Sequence, residues 1–157
     1  MPPKLLFDVT GIDLDKVLFG PEEIRKYNPQ RGDMEHVDAI VYADDQVRRI
    51  IGYKDVRADE FWVDGHIPGR PLLPGVVMIE AAAQVSSYYT AKYDKWEGFI
   101  GFGGVDGVRF RQQVQPGARL YILVAKLWER HGRVRSAAQG MVNGNIAFEA
   151  EITGIRL

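Results

Sequence analysis

The residues best suited to chemistry lie in one stretch of the chain, from Asp64 to Gln84. His66 sits in a loop crowded with proline and glycine, and Glu80 interrupts the apolar segment that follows. Histidine titrates near neutral pH and is suited to moving a proton. A carboxyl group in apolar surroundings can be held protonated or can orient a water. The pair therefore indicates acid–base chemistry, and the plainer interpretations are a structural histidine and a paired structural carboxylate.

The segment that carries Glu80 is predicted to be a buried helix. Three prolines stiffen the loop before it, and the last of them, Pro74, suits the first turn of a helix. From Gly75 onward the side chains are apolar nearly all round, which predicts a buried helix from about Pro74 to Tyr93. Gln84 lies one turn after Glu80 and on the same face, so it could fix the carboxylate by a hydrogen bond.

Strand patterns lie on both sides of this helix, and Pro21–Tyr27 suits a short helix. Asn143-Gly144 is a signal for a tight hairpin. The predicted strands are 37–42, 47–56, 99–105, 108–114, 120–130, 134–142 and 146–155. We therefore predict one α+β domain over residues 1–157, in which an antiparallel β-sheet wraps around one long central helix.

Composition narrows the possible functions. The net charge is −1, which gives no strong attraction to nucleic acid or to a membrane surface. The chain has no cysteine, which excludes disulfides, thiolate metal sites and a cysteine nucleophile, and its three scattered histidines do not suggest a metal site. The first residues do not resemble a signal peptide, and no apolar run is long enough to span a bilayer. We expect a cytoplasmic protein that needs no metal.

Several motifs resemble the bacterial 3-hydroxyacyl-acyl-carrier-protein dehydratases, a family with the hot-dog fold. The central motif runs from His66-Ile67-Pro68-Gly69-Arg70-Pro71 through Leu73-Pro74-Gly75-Val76 to Glu80-Ala81-Ala82-Ala83-Gln84. A second segment, Phe102 to Arg111 followed by Val114-Gln115-Pro116-Gly117, matches the family in order and spacing. The resemblance covers the chain from about Tyr27 to its end.

The resemblance implies a role for each matching residue. It makes His66 and Glu80 the catalytic pair and Gly75 the residue whose backbone N–H holds the thioester carbonyl. It also implies a homodimer in which His66 and Glu80 of opposite subunits meet beside an acyl tunnel. Trimers of such dimers are common in the family. The substrate would arrive on the phosphopantetheine of an acyl carrier protein, with no further cofactor. The expected substrate-binding residues are Pro74, Val76, Gln84 and Phe102.

The sequence departs from the family at two places. Ile67 stands where the family usually has phenylalanine. The N-terminal segment reads Pro29-Gln30-Arg31 where the family has proline-histidine-arginine, and the residues from Gly32 to His36 are not the usual apolar run. The resemblance places this segment beside the acyl tunnel, so the departure concerns the acyl chain. A glutamate at position 80 favours the plain dehydratases over the dehydratase-isomerases.

Other residues have two interpretations. We expect His36 and His131 at the surface, the latter in a hairpin turn. Phe99, Phe102 and Phe110 could line the tunnel or belong to the core. Arg109 and Arg111, two residues apart on a predicted strand, could form a basic surface that docks the acidic carrier protein, or simply a solvated strand face.

Other functions remain open from sequence. One is a hot-dog thioesterase or a hydratase that acts on coenzyme A thioesters, and the histidine-to-glutamate spacing with the Pro-Gly before the helix favours the dehydratase over both. The other is a non-catalytic acyl-binding subunit that partners an active relative. The leading hypothesis has His66 as base, Glu80 as acid and the Gly75 N–H as oxyanion donor.

Overall fold

A computed structural model of the protein describes residues 3–157. Its helices are α1, Pro21–Arg25, and α2, Gly75–Tyr93, with a short 3₁₀ helix at Gly32–Met34. Its strands are β1 Ala39–Asp44, β2 Arg49–Asp55, β3 Ile100–Phe110, β4 Arg119–Arg130, β5 Arg133–Val142 and β6 Asn145–Arg156.

The six strands form one antiparallel sheet in the order β1-β2-β4-β5-β6-β3. The sheet wraps around α2, whose side chains belong to the same buried cluster as residues of β1, β2, β4, β5 and β6. The predicted α+β class and hot-dog arrangement are confirmed.

Helix α2 can lie deep in the molecule because its residues are small or apolar. Ala81, Ala82 and Val85 are fully buried against the sheet. Gly52 of β2 faces the helix, and a Cβ at that position would come within 3.1 Å of Val85. The helix therefore packs close to the strand because position 52 carries no side chain.

The predicted helix start and the two hairpin turns agree with the structure. Pro74 precedes the helix in an extended conformation, and the helix begins at Gly75. Both residues of Asn143-Gly144 and of His131-Gly132 have positive φ, as a two-residue hairpin loop requires.

Two predicted strands are in fact one. Residues 99–105 and 108–114 were expected as separate strands, but β3 runs unbroken from Ile100 to Phe110. Its pairing with β6 shifts register between Phe102 and Gly104, and again between Asp106 and Arg109. Gly107 has φ +61° inside the second irregularity. The glycine and polar residues at these bulges resemble a turn in the sequence, although the chain continues as a strand.

The outer face of the sheet is covered by residues 3–16, which we call the N-terminal strap. Phe7 is buried there against Ile51 of β2 and Leu123 of β4. The strap has no helix or strand of its own. The backbone N–H of Leu6 donates to Gln139 Oε1 at 2.6 Å, and Gln139 Nε2 donates to the carbonyl of Lys4 at 3.0 Å.

Across residues 3–157, none of the helices combines the length and apolar character that crossing a bilayer requires.

Candidate active site

His66 is held by two hydrogen bonds at the end of the turn that follows β2. Its backbone N–H donates to the carbonyl of Trp62 at 2.8 Å. Its ring Nδ1 lies 2.7 Å from the carbonyl oxygen of Leu72. Because a carbonyl can only accept, Nδ1 carries the proton and Nε2 is left as the basic nitrogen. The half-buried ring thus presents one fixed tautomer.

The residue after the histidine has an unusual backbone conformation. Ile67 has φ +59°, in the left-handed region that β-branched residues rarely adopt. Its carbonyl accepts a hydrogen bond from the N–H of Arg70 at 2.9 Å, which closes a tight turn. Local strain of this kind is found where the surrounding structure fixes a functional residue.

The start of α2 offers free backbone donors beside this loop. The carbonyl of Pro74 accepts from Val77 at 3.0 Å and from Met78 at 3.3 Å, and no side chain caps the helix. The earlier N–H groups of Gly75 and Val76 have no intrahelical acceptor, and the helix dipole favours negative charge in front of them.

Glycine is also the only residue type that fits position 75 without rearrangement. A Cβ there would lie 2.5 Å from Cζ of Phe110, because the ring of Phe110 lies over the glycine. The Phe110 ring is itself more than half exposed, so it covers the helix start from the solvent side.

Glu80 lies one and a half turns further along α2 and is half-buried. Gln84 Nε2 donates to Glu80 Oε1 at 3.1 Å and also to the carbonyl of Met34 at 2.8 Å. Gln84 Oε1 accepts from the backbone N–H of His36 at 3.0 Å. Gln84 therefore fixes the carboxylate by a hydrogen bond, as its structural interpretation predicted, and it also joins the carboxylate to the segment before β1.

A cavity of about 150 Å³ begins beside Glu80 and runs between α2 and the end of the sheet. Its walls come from α2, from the start of β3 and from β6. The residues that line it include Gln30, Glu80, Gln84, Ser87, Phe99, Phe102 and Thr153.

The other expected site residues lie elsewhere. Phe110 covers Gly75 rather than the cavity, and Pro74, Gly75 and Val76 do not line it. The side chain of Val76 is 73% exposed and faces away from the core. His66 is not part of the cavity wall, and within residues 3–157 no hydrogen bond joins it to Glu80.

The prediction for His36 is wrong, whereas His131 is exposed in its turn as expected. His36 is only 2% exposed. Burial, together with the positive charge of Lys54, lowers the pKa of His36 to about 4. The ring is therefore neutral at pH 7. The backbone of His36 is held by Gln84, which lines the cavity.

A buried ion pair beside His36 was not predicted. Lys54 Nζ lies 2.5 Å from Glu60 Oε1, with only 4% and 6% of the two side chains exposed. Lys54 Nζ also lies 3.4 Å from Nδ1 of His36. Although burial raises the pKa of Glu60, the hydrogen bond from Lys54 and one from the Arg57 N–H lower it overall. The alternation of β2 could have shown Lys54 on the same face as Ile50 and Gly52.

The two arginines expected to dock a carrier protein differ in their surroundings. Arg109 is exposed in β3, whereas Arg111 lies just beyond the end of that strand. Arg111 forms an ion pair with Glu149 at 2.9 Å. Arg135 is bound to Asp106 and Glu151, so it adds little free positive charge to this surface.

Among residues 3–157 no cluster of three His, Cys, Asp or Glu side chains is placed to hold an ion.

Known proteins of similar structure share this fold at low identity. A chain of the dehydratase heterocomplex ApeI:P from Xenorhabdus doucetiae aligns with a TM-score of 0.72 and 16% identity, covering 85% of this chain and 90% of that one. A virulence protein from Campylobacter jejuni aligns with a TM-score of 0.65 and 14% identity, covering 89% and 94%. At such identities the likeness supports the fold alone.

Relatives found by sequence have a higher identity to this chain. The 3-hydroxyacyl-[acyl-carrier-protein] dehydratase FabZ of Bacillus pumilus is 36% identical over 133 residues, which cover 84% of this chain and 92% of that protein. The FabZ of a Bacillus cereus strain is 37% identical over the same coverage. The model of the FabA-like domain matches residues 28–151. The chain therefore belongs to the FabA-like domain family.

Proposed function

We propose that the protein dehydrates 3-hydroxyacyl thioesters of an acyl carrier protein to trans-2-enoyl thioesters, as a step of fatty acid or related lipid or polyketide synthesis. One observation carries this proposal above the others. The ring of His66 is held by the carbonyl of Leu72, three residues before a helix start with free N–H groups, and the same helix carries a carboxylate into a cavity. The names of the FabZ relatives support the same reaction.

His66 is the proposed base. Its Nδ1–H is held by the carbonyl of Leu72, so Nε2 can take the proton from the carbon next to the thioester carbonyl. Negative charge then builds on the thioester oxygen. The N–H of Gly75 at the start of α2 is the proposed donor to that charge, and removal of one such donor costs about 3 kcal/mol in other enzymes.

Glu80 is the proposed acid. Gln84 Nε2 occupies Glu80 Oε1, which leaves the second oxygen to give its proton to the leaving hydroxyl. The bond between carbon 3 and its oxygen breaks, water leaves, and the electrons of the broken C–H bond form the double bond. The proton taken by His66 and the one given by Glu80 keep the reaction balanced, and solvent restores both groups.

A homodimer would bring the two groups together. No hydrogen bond joins His66 to Glu80 within residues 3–157, and we propose that His66 of one subunit works with Glu80 of the partner subunit at their interface. The exposed apolar side chains along and near β3 support this face as the interface. They include Phe99, Phe102, Val105, Phe110 and the nearby Ile67 and Val76. A trimer of such dimers is the larger assembly that we propose.

The acyl chain would enter the cavity beyond Glu80. Phe102 and Gln84 line that cavity and are proposed to contact the chain. Val76, exposed at the start of α2, and Pro74, buried just before it, are proposed to contact the thioester end of the substrate. The absence of cysteine from the sequence suits a reducing compartment, and we place the reaction in the cytoplasm.

The decisive experiment is hydration of a crotonyl thioester by the purified protein, followed by loss of the absorbance of the conjugated double bond. His66→Ala and Glu80→Gln should each lower kcat by on the order of a thousandfold, since each removes one proton-transfer group. The exposed residues His131 and Glu97 provide matched controls in His131→Ala and Glu97→Gln. Full activity in either site variant would refute the assigned role, and release of free thiol would instead indicate a thioesterase.

Docking of the carrier protein can be tested separately. We propose that Arg109 and Arg111 attract the acidic carrier, so reversal of both to glutamate should lower kcat/KM about tenfold for carrier-bound substrate relative to a pantetheine thioester. The ratio of the two values is the readout, because it cancels any general effect on the fold. Arg133→Glu, on an exposed residue of β5, is the control. An unchanged ratio would remove these arginines from the docking surface.

A further inference from the structure

The buried ion pair of Lys54 and Glu60 takes no part in the proposed proton transfers. Burying two charges costs free energy that their attraction often does not return, so a buried pair is weak evidence for a purely stabilising role. Buried polar contacts can instead hold neighbouring groups in a single arrangement. The contacts of Lys54 and Glu60 lead to one such group, the turn that carries His66.

Glu60 holds this turn by both oxygens of its carboxylate. Oε1 accepts from Nζ of Lys54 in β2 at 2.5 Å, and Oε2 accepts from the backbone N–H of Arg57 at 2.8 Å. Residues 57–66 form neither a helix nor a strand. The carboxylate of Glu60 therefore ties an irregular segment back to β2, beyond the point where the pairing of that strand has ended.

Backbone hydrogen bonds lead from Glu60 to the histidine. The carbonyl of Glu60 accepts from the N–H of Val63 at 3.1 Å. The carbonyl of Trp62, whose indole is buried in the core, accepts from the N–H of His66 at 2.8 Å. The ring of His66 in turn meets the carbonyl of Leu72. A displacement of Glu60 therefore moves the backbone of His66 relative to the carbonyl that fixes its ring.

The lysine of the ion pair is anchored on the inner side of the sheet. Lys54 Nζ lies 3.4 Å from Nδ1 of His36, and an ammonium can only donate, so the imidazole accepts. His36 is buried, and its backbone N–H donates to Gln84 Oε1 of α2 at 3.0 Å. Lys54 is thus held between β2 and the segment before β1, which gives Glu60 a fixed point to bind.

We propose that Glu60, paired with Lys54, is a positioning residue for His66. This inference rests on the proposed function, in which His66 is the base. Glu60 does not touch the substrate. It fixes the turn so that Nε2 of His66 stays aligned with the C–H bond that it must break, and this alignment tolerates an error of only about 0.5 Å.

Glu60→Gln is the first test, because it keeps the shape of the side chain and removes its charge. A single amide oxygen replaces the two carboxylate oxygens, so the contacts to Lys54 and Arg57 cannot both be kept. We expect kcat for hydration of a crotonyl thioester to fall about a hundredfold per folded molecule, since a misplacement of about 1 Å can cost that much. KM should stay within about threefold, because Glu60 makes no contact with the substrate.

Asp94→Asn is the matched control. Asp94 forms an ion pair at 2.7 Å with Lys126, whose side chain is 5% exposed, so this change also removes a carboxylate charge from a buried lysine. Asp94 follows the last residue of α2, roughly 28 Å from the start of that helix. Its kcat should stay within about twofold of the unmodified protein. An equal fall of kcat in both variants would overturn the inference, because the loss of any buried pair would then suffice.

A double-mutant cycle separates the positioning of His66 from general damage to the protein. Groups that act as a unit have non-additive effects, so Glu60→Gln should change the residual rate of the His66→Ala protein less than about threefold. A loss of about a hundredfold in both backgrounds, or an unchanged kcat in Glu60→Gln alone, overturns the inference.

Glu60→Asp is the second variant, for use if Glu60→Gln does not fold. It keeps the charge beside Lys54, but its shorter side chain withdraws from the N–H of Arg57, so kcat should fall about tenfold. This loss should also disappear in the His66→Ala background, and its persistence there overturns the inference. Full activity of the Glu60 variants beside an inactive His66→Ala protein overturns the inference alone, whereas full activity of His66→Ala overturns the proposed base as well.

Discussion

The two faces of the sheet are both apolar, yet they are covered in different ways. The inner face packs against α2, a regular helix whose residues Ala81, Ala82 and Val85 are fully buried. The outer face packs against the N-terminal strap, which has no regular structure and contributes Phe7 as its buried residue.

The faces also differ in the polar groups that they bury. The inner side holds His36, the Lys54–Glu60 pair and Gln84, together with the cavity. Gln139 is the buried polar side chain beneath the strap, and both ends of its amide are used by the strap backbone. Buried polar groups cost free energy unless they are satisfied, so their concentration on one side indicates where function has shaped the protein.

The strap also lies outside the part of the chain that matches the family model. The FabA-like domain begins at residue 28, after the strap has ended. The outer covering therefore lies outside the matched segment, and we expect it to act on stability while the inner side acts on stability and chemistry together.

The largest expected effect on stability comes from the inner ion pair. Lys54→Met leaves Glu60 buried without its partner and should lower the free energy of unfolding by about 3–5 kcal/mol. Urea unfolding followed by circular dichroism measures the change. Lys26→Met, at an exposed ion pair, is the control and should cost less than about 1 kcal/mol. A loss of equal size in both variants would mean that burial of the Lys54–Glu60 pair has no special role.

The outer face should give a smaller change that spares activity. Phe7→Ala removes the buried ring of the strap and should lower the free energy of unfolding by about 3 kcal/mol. Because Phe7 lies across the sheet from the cavity, kcat on a crotonyl thioester should stay within about twofold at temperatures where the variant is folded.

The control for this variant is Leu127→Ala, at an exposed apolar residue of β4, which should be close to neutral. A large fall in kcat for folded Phe7→Ala would show that the two faces are not independent.

At pH 7 the smallest effect is that of His36, which appears only as a dependence of stability on pH. The pKa of His36 is about 4 in the folded protein and about 6.5 when unfolded, so between these values only the unfolded chain binds the proton. Stability should therefore fall as the pH is lowered from about 6.5 toward 4, with a total on the order of 3 kcal/mol. Above pH 6.5 this residue contributes no further change.

The slope of unfolding free energy against pH is the measurement. His36→Gln should flatten it in that range, whereas His131→Gln, in the exposed hairpin turn, should leave it unchanged. An identical slope in all three proteins would contradict a buried neutral His36.

Much of the inner face could be predicted from sequence because its signals are periodic. The apolar run from Gly75 predicted the start of the helix to within one residue, and Asn143-Gly144 correctly predicted a hairpin. The spacing of Glu80 and Gln84 predicted the hydrogen bond that joins them. The roles of His66, Glu80 and Gly75 remain predictions that the kinetic experiments address.

The features that the sequence did not predict lack a local periodicity of apolar residues. The strap forms no hydrogen-bonded repeat, so its apolar residues could not be assigned to a helix or a strand. His36 is buried by contacts with Gln84 and Lys54, which are distant in the chain. The bulges of β3 place Gly107 and neighbouring polar residues inside a strand, where a turn is the usual interpretation.

The two ends of the sheet differ in one further respect. At the β1 end, Phe19 pairs with Ile40 and closes part of the edge, whereas β3 pairs with β6 alone over the described part of the chain. An open edge of 11 residues with exposed Phe102 is a template for a second strand. If a second copy closes it, mass action makes specific activity fall on dilution and return on concentration. The abundance of the protein in the cell would then set the fraction that can work.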